Sequence, residues 1–193
     1  MGAVHFGVSE HEASSRAFRR SLFVVRDLRK GEKFTSDNIR SIRPGHGLHT
    51  RHLAEVLDTE IKRSERTGRE FALLLFDLDG LKQINDRYGH LRGSHALCRV
   101  ADVLSFCRDI DTAARYGGDE FAVVLPETGA EAANHAAQRI CDSIANDGME
   151  PALSVSIGVA VYPHDGESLE TLLRAADVAM YSMKASRHKL LNA

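Results

Sequence analysis

The segment that decides the fold is Arg115-Tyr116-Gly117-Gly118-Asp119-Glu120-Phe121, in which two glycines precede two acids. Apolar residues typical of a strand follow at positions 121–125, and residues 112–116 before it can also be extended. We therefore predict a β-hairpin with Gly117 and Gly118 at its tip, because glycine supplies the positive φ of a tight turn. A purely structural turn gains nothing from two adjacent acids, which repel each other unless a cation lies nearby.

A second group of acids follows the most apolar segment of the chain. The run from Phe71 to Phe76 is continuous and of strand length, which predicts a central strand covered on both faces. It leads directly into Asp77-Leu78-Asp79-Gly80. Taken alone, these acids read as the start of a loop. If this strand pairs with the strand after the glycines, three or four carboxylates converge, a donor set that suits Mg²⁺ or Mn²⁺ and phosphate substrates.

The remaining pattern predicts a mixed α and β fold. Helical spacing of apolar residues predicts helices at 49–66, 81–89, 92–107, 130–146 and 167–186, and alternation predicts a strand at 153–161. Cys107 and Cys141 fall on apolar helical positions, where we expect them to act as small core residues.

The bulk properties exclude several classes of protein. The chain has 193 residues with 25 basic and 27 acidic side chains, a balance that argues against a nucleic-acid partner. No two of its three cysteines form a C-x-x-C motif, which favours reduced thiols over a zinc site. The N-terminus has no signal-peptide pattern, and the longest apolar run is too short to cross a bilayer. We expect a soluble, cytoplasmic protein with no membrane segment in this chain.

The first part of the chain differs in character from the rest. We expect residues 1–15 to form a flexible tail. The segment FRRSLFVVRDLRKGEKFTSDNIRSIRPGHGL resembles the SAF (antifreeze-like) domain of sialic and pseudaminic acid synthases over about residues 16–48. This likeness covers about the first half of such a domain and none of the synthase barrel. We therefore interpret residues 16–46 as a partial SAF-like segment without synthase activity; a carbohydrate-binding accessory role is the less favoured interpretation.

Residues 47–190 resemble a known catalytic domain. The strings FALLLFDLDGLKQINDRYGH, RYGGDEF, LSVSIGVAVYP and LLRAADVAMYSMK, in this order, are similar to the GGDEF domain of diguanylate cyclases. The resemblance implies an α+β fold, related to nucleotidyl cyclases and polymerase palm domains, with a five-stranded, mainly antiparallel sheet flanked by helices. It also implies that a homodimer joins two GTP molecules into cyclic di-GMP, with Mg²⁺ or Mn²⁺ as cofactor.

The resemblance also implies roles for individual residues. The metal ligands would be Asp77, the carbonyl of Leu78, Asp119 and Glu120. Catalytic roles fall on Glu120, which would assist 3′-OH deprotonation or complete the second metal site, on Asp119 and on Lys82. The substrate-binding residues would be Gly80, Leu81, Asn85, Ser94, Gly117, Gly118 and Lys184. A product-inhibition site for cyclic di-GMP would use Arg108 and Asp111, with Arg139 from the next helix.

The sequence departs from the family at three places, one of which follows Lys184, where Arg187-His188-Lys189 stands in place of a frequent Gly-Arg-Asn ending. Ser94 stands where the family usually has an aspartate that accepts hydrogen bonds from guanine, and Arg43-Pro44-Gly45-His46-Gly47-Leu48 replaces the family's entry motif. Two hypotheses therefore remain open. The first is an active diguanylate cyclase, which the intact acids at Asp77, Asp119 and Glu120 favour. The second is a catalytically weak module that binds GTP or cyclic di-GMP as a regulatory effector.

Overall fold

The computed structural model describes residues 21–24, 39–42, 48–105, 107–108 and 110–191, with side chains described between residues 53 and 187. The chain divides into two compact units, 1–45 and 46–193. The first unit contains an antiparallel strand pair, β1 (Ser21–Val24) and β2 (Ile39–Ile42), in which Ser21 lies opposite Ile42. The predicted tail and much of the SAF-like segment lie outside the described residues.

A five-stranded sheet organises the second unit. Its strands are β3 (Leu48–His49), β4 (Phe71–Leu78), β5 (Thr112–Arg115), β6 (Glu120–Leu125) and β7 (Val155–Tyr162). Their order across the sheet is β3-β5-β6-β4-β7. Every pairing is antiparallel except the two-residue parallel contact of β3 with β5. The predicted α+β fold with a mainly antiparallel sheet is confirmed.

Five helices of the described chain flank this sheet: α1 (Thr50–Thr67), α2 (Leu81–Tyr88), α3 (His90–Leu104), α4 (Ala130–Ala145) and α5 (Leu169–Leu191). The prediction that the third helix includes Cys107 is wrong. That helix ends at Leu104, where the Ser105 amide bonds back to the Ala101 and Asp102 carbonyls, and Cys107 lies in the following turn, partly buried against the core. None of the described helices combines the length and apolar character needed to span a membrane.

Strand alternation divides the core into two layers. Along β4, Ala72, Leu74, Phe76 and Leu78 pack in one apolar cluster together with residues of α2, α3 and α4. Phe71, Leu73 and Leu75 pack in the other cluster, with residues of α1 and α5. All eight residues of β4 are buried, as predicted for a central strand covered on both faces. The same alternation determines which helices the acids at the end of β4 face.

Helix α5 lies close beside β7, which is an edge strand of the sheet. Met180 packs in the cluster containing α1, whereas Met183, one turn later, packs against the opposite cluster. The close approach depends on Gly158, where a Cβ would collide with the carbonyl oxygen of Ala176. The absence of a side chain at this position therefore brings the C-terminal half of α5 to the end of the sheet where the acids lie.

Candidate functional site

Strand register places two carboxylates side by side. Asp77 on β4 lies directly opposite Glu120 on β6. Asp77 follows the alternation of Leu73 and Leu75, and Glu120 follows that of Ala122, so both side chains project from the face covered by α1 and α5. Next to them, the amide of Leu78 donates to the carbonyl of Asp119 at 3.0 Å. The predicted convergence of the two acidic segments is confirmed for the backbone that carries them.

The hairpin tip is shaped around Glu120. The amides of Tyr116 and Gly117 both donate to the Glu120 carbonyl, at 2.8 and 3.1 Å. The Glu120 carboxylate folds back over Gly117, in the space that a Cβ at this position would occupy. The Arg115 guanidinium donates to the carbonyls of Gly117 and Gly118. Gly117 therefore makes room for a carboxylate of its own hairpin. The prediction that the two glycines supply a positive φ is wrong, because neither Gly117 nor Gly118 has one, and their contact with a nucleotide stays a prediction.

The carboxylates at the site are crowded and partly desolvated. The pKa of Asp77 is raised, chiefly by burial, and the negative charges of Asp119 and Asp79 raise it further. The pKa of Glu120 is also raised, first by burial and then by the charges of Asp119, Asp77 and Asp177. Mutual repulsion of this kind favours a cation between the carboxylates.

Lys184 of α5 supplies a cation to this cluster. Its Nζ donates to Oδ1 of Asp77 at 2.7 Å, and the Lys184 side chain is about half exposed while that of Asp77 is 12% exposed. This bond opposes the rise in the pKa of Asp77 and raises the pKa of Lys184. The lysine assigned to phosphate contact is thus in contact with an assigned metal ligand.

Asp79 has a different set of partners from Asp77. Its Oδ1 accepts from the Ser156 hydroxyl at 2.7 Å, and its Oδ2 accepts from the Ser154 hydroxyl at 2.8 Å and from Arg187 Nη1 at 3.1 Å. The same Arg187 nitrogen donates to the carbonyl of Val155 at 2.8 Å. Asp79 therefore links the turn after β4 to the start of β7 and to α5. Sequence reasoning missed its three partners because nothing in their local pattern marks them.

The turn after Asp79 leads into a helix N-terminus. Gly80 has φ of 70°, a left-handed conformation that favours glycine, and α2 begins at Leu81. Glycine has no side chain with which to cap the amides of the first turn, and that turn carries no acid. Lys82 is exposed on the same turn. These amides and this lysine form the kind of terminus that binds phosphate.

The residues assigned to the base lie between α2 and α3. The side-chain oxygen of Asn85 occupies the space where a Cβ at Gly93 would be, so Asn85 lies against the helix position that precedes Ser94. Gly93 is buried and Ser94 is half-buried. The structure thus brings Asn85 to the neighbourhood of Ser94, as the assignment requires.

The residues assigned to product inhibition form a separate cluster. Arg108 donates to Asp111 from Nη2 at 2.8 Å and from Nε at 3.1 Å, and also to the Thr128 hydroxyl at 2.9 Å. The Asp111 side chain is almost fully buried, whereas that of Arg108 is about half exposed. The pKa of the Cys107 thiol, next to Arg108 in the chain, is raised chiefly by burial, and the positive charge of Arg139 on α4 opposes this rise. No local sequence pattern marks Thr128 as a partner of Arg108, since the two residues lie 20 positions apart.

The acids fit a divalent cation in donor chemistry. Carboxylate oxygens are the hard ligands that Mg²⁺ and Mn²⁺ prefer, and the site offers those of Asp77, Asp119 and Glu120. A bound divalent cation would offset the repulsion among these three negative charges. In the described part of the chain, no three acidic, histidine or cysteine side chains are already arranged as a metal site. At Asp77, one carboxylate oxygen accepts a hydrogen bond from Lys184.

Comparison with known proteins assigns this arrangement to a family. A family model described as "Diguanylate cyclase, GGDEF domain" matches residues 47–189, and a SAF domain model matches residues 19–68. The SAF match therefore extends through α1, further than the half-domain expected from the sequence. The two matches overlap at residues 47–68.

Relatives of this chain include diguanylate cyclase A of Treponema denticola, 39% identical over 79% of this chain and 42% of that protein. The response regulator PleD of Caulobacter vibrioides is 36% identical over 72% of this chain and 33% of that protein. The chain thus spans less than half the length of these two relatives.

Solved structures agree with the family match. A sensory box/GGDEF family protein from Caulobacter crescentus has a TM-score of 0.68 and 38% identity over 74% of this chain and 96% of that one. The GGDEF domain of DgcB from the same species, solved with c-di-GMP, has a TM-score of 0.67 and 26% identity over 74% of this chain and 85% of that one. With the family model spanning residues 47–189, the chain belongs to the GGDEF domain family of diguanylate cyclases.

Proposed function

We propose that residues 47–190 condense two GTP molecules into cyclic di-GMP and release two pyrophosphates. The observation that carries the proposal is the register of β4 and β6, which sets Asp77 opposite Glu120 at the glycine turn. Lys184 and the first turn of α2 lie beside this pair. Carboxylates for a divalent cation next to amides and a lysine for phosphate are the groups that phosphoryl transfer requires.

The acids would hold the cofactor, Mg²⁺ or Mn²⁺. We assign its ligation to Asp77, the Leu78 carbonyl, Asp119 and Glu120. The register that sets Asp77 opposite Glu120, and the hydrogen bond from the Leu78 amide to the Asp119 carbonyl, support this assignment. The bound cation would neutralise charge on the phosphates and lower the pKa of the attacking 3′-hydroxyl. Glu120, whose pKa is raised by burial and by neighbouring acids, is suited to accept the 3′-OH proton.

The substrate would lie from α2 to the hairpin. The amides at Gly80 and Leu81 would bind the β- and γ-phosphates, and Lys82 and Lys184 would neutralise their charge. Asn85 and Ser94 would contact the guanine. The backbone at Gly117 and Gly118 would lie against the nucleotide, with the space beside Gly118, where a Cβ would meet no described atom within 4 Å, open to it.

One such site holds one GTP, and the reaction joins two. We therefore propose that two copies of the domain face each other, so that each 3′-oxygen attacks the α-phosphorus of the other GTP. Because the substrate is a nucleotide of the cytoplasm, we place the activity there. We further propose that the SAF-like segment up to residue 46 lies outside the catalytic domain, which the division of the chain after Gly45 supports.

Incubation with GTP and Mg²⁺ or Mn²⁺, followed by chromatographic separation of the products, tests the proposal. The protein should form cyclic di-GMP, and Asp119→Ala should abolish the product. Asp58→Ala, which removes an exposed acid from α1, is the matched control and should retain activity. If no cyclic di-GMP forms at high protein concentration, the cyclase assignment is wrong; if Asp119→Ala remains active, the metal assignment is wrong.

A second candidate function is a weakly catalytic module that binds GTP or cyclic di-GMP. It is favoured by Ser94, which stands where the family usually has an aspartate, and by the Arg108–Asp111 pair. In this case calorimetry should show tight cyclic di-GMP binding that Arg108→Ala removes and Arg174→Ala, on α5, leaves intact. If Arg108→Ala binds cyclic di-GMP as tightly as the parent chain, the assignment of this product site is wrong.

A further inference from the structure

The contact between Lys184 and Asp77 conflicts with the roles proposed for both. The Lys184 ammonium lies 2.7 Å from Oδ1 of Asp77, and this carboxylate is the proposed metal ligand on β4. A divalent cation bound to the same carboxylate would lie within a few ångströms of the ammonium. Two positive charges at that separation repel strongly in a partly buried site. The lysine and the metal therefore compete for Asp77.

We propose that Lys184 is the resident counter-ion of Asp77 in the nucleotide-free domain, and that it transfers to the substrate phosphates when the metal and GTP bind. This proposal rests on the proposed function for the identity of the ligand and substrate. Before metal and nucleotide bind, the ammonium offsets the repulsion that Asp119 and Asp79 exert on the Asp77 carboxylate. When metal and GTP are bound, the metal offsets the repulsion on Asp77 and the Lys184 ammonium neutralises phosphate charge.

The structure allows Lys184 to move while α5 stays in place. The Lys184 side chain is 49% exposed, and its four-carbon stem can rotate without displacing backbone. One turn further along α5, Arg187 is bound to Asp79 and to the Val155 carbonyl. On the other side, the sulfur of Met183 accepts the amide of Ile157 at 3.2 Å. These contacts involve neither Asp77 nor Lys184, so they persist when the lysine is released.

The exchange links metal affinity to nucleotide binding. Without nucleotide, a metal must displace a paired lysine, so its affinity is reduced by the strength of the pair. Triphosphate attracts the lysine and frees the carboxylate, so nucleotide raises metal affinity, and metal raises nucleotide affinity by the same factor. If Lys184 contacted only phosphate and not Asp77, its replacement would leave metal affinity unchanged in the absence of nucleotide.

The decisive experiment measures Mn²⁺ binding to the nucleotide-free protein by electron paramagnetic resonance at pH 8. Lys184→Met should bind Mn²⁺ about three- to tenfold more tightly than the parent chain. Lys184→Arg, which keeps the charge, should resemble the parent. Arg174→Met is the matched control, because it removes a charge from the same helix about 15 Å away, beyond the screening length at physiological salt. Its Mn²⁺ affinity should change by less than about twofold.

A second measurement tests nucleotide affinity, which Lys184→Met should change in the opposite direction from Mn²⁺ affinity. In EDTA, Lys184→Met should bind 3′-deoxy-GTP, which cannot react, more weakly than the parent chain. Tighter Mn²⁺ binding together with weaker nucleotide binding is the expected signature. Unchanged, weaker or undetectable Mn²⁺ binding by Lys184→Met overturns the proposal. Neither measurement depends on turnover, so a protein that forms no cyclic di-GMP can still show the exchange, and an active enzyme can still fail to show it.

Discussion

Replacement of Gly158 by alanine tests how closely α5 must approach β7. A Cβ at this position would collide with the Ala176 carbonyl oxygen and lie 2.5 Å from the Met180 amide nitrogen. Both atoms belong to helix backbone, which cannot rotate away as a side chain can. To restore an ordinary contact distance to the Ala176 oxygen, α5 has to move outward by about 1.5 Å.

The size of the effect follows from what that movement disturbs. Leu172 and Ala176 are fully buried and Met180 is 8% exposed, so all three would lose contact with the sheet. Overpacking of a well-packed core costs about 1–3 kcal/mol, and a collision with backbone belongs at the upper end of this range. For a domain of this size, about 3 kcal/mol corresponds to a fall of about 6–12 °C in unfolding temperature. Because Lys184 lies one turn beyond Met180, diguanylate cyclase activity should fall as well.

Differential scanning calorimetry of the parent chain and Gly158→Ala measures this effect. Gly118→Ala is the stability control, since a Cβ at that position would meet none of the described atoms within 4 Å. The control should unfold within about 2 °C of the parent chain. An unfolding temperature for Gly158→Ala equally close to the parent value would refute the argument that this glycine sets the position of α5.

Three further changes address other parts of the domain. Arg99 donates to both carboxylate oxygens of Asp147 at 2.6 Å, so Arg99→Met should lower the free energy of unfolding by about 2–3 kcal/mol at pH 7. The hydrogen bonds from Arg99 lower the pKa of Asp147 below its usual 3.8. The difference in unfolding free energy between the parent chain and Arg99→Met should therefore be full above pH 3.8 and shrink as the pH falls below it. Urea unfolding that shows the same difference at pH 3 as at pH 7 would contradict this. Ser94→Asp should lower KM for GTP by about tenfold or more, because it restores a charged acceptor for guanine, and steady-state kinetics with an unaltered KM would refute that role. Gly117→Ala should reduce kcat by more than about tenfold because it displaces the Glu120 carboxylate, and a kcat within about twofold of the parent value would argue against this packing.

Local patterns were sufficient to predict the strands and the hairpin that carry the acids. The apolar run at 71–76 predicted a strand buried on both faces, and the glycine pair predicted the turn before Glu120. The pairing of β4 with β6 was a conditional expectation, and the register confirms it by placing Asp77 opposite Glu120. These features depend on alternation and turn geometry, which a short stretch of sequence contains.

The contacts that organise the acids could not be predicted in the same way. Lys184 and Asp77 are 107 positions apart, and Ser156 and Asp79 are 77 apart. Such pairs depend on where whole helices and strands pack, and an isolated lysine or serine has no pattern that reveals its partner. The wrong prediction for Cys107 has a related cause, because helical spacing continues in the sequence beyond the backbone bonds that end α3 at Leu104.

The position of α5 beside β7 also determines how two domains can associate. Two amides of this edge strand already have partners outside the sheet, since the Ile157 amide donates to the Met183 sulfur and the Val161 amide to Asp165 at 2.7 Å. At the other edge, β3 is two residues long. A sheet protected in this way resists strand addition and edge-to-edge aggregation. The pair of domains proposed for catalysis must therefore associate through helices and loops, in an arrangement that can separate and re-form without opening the sheet.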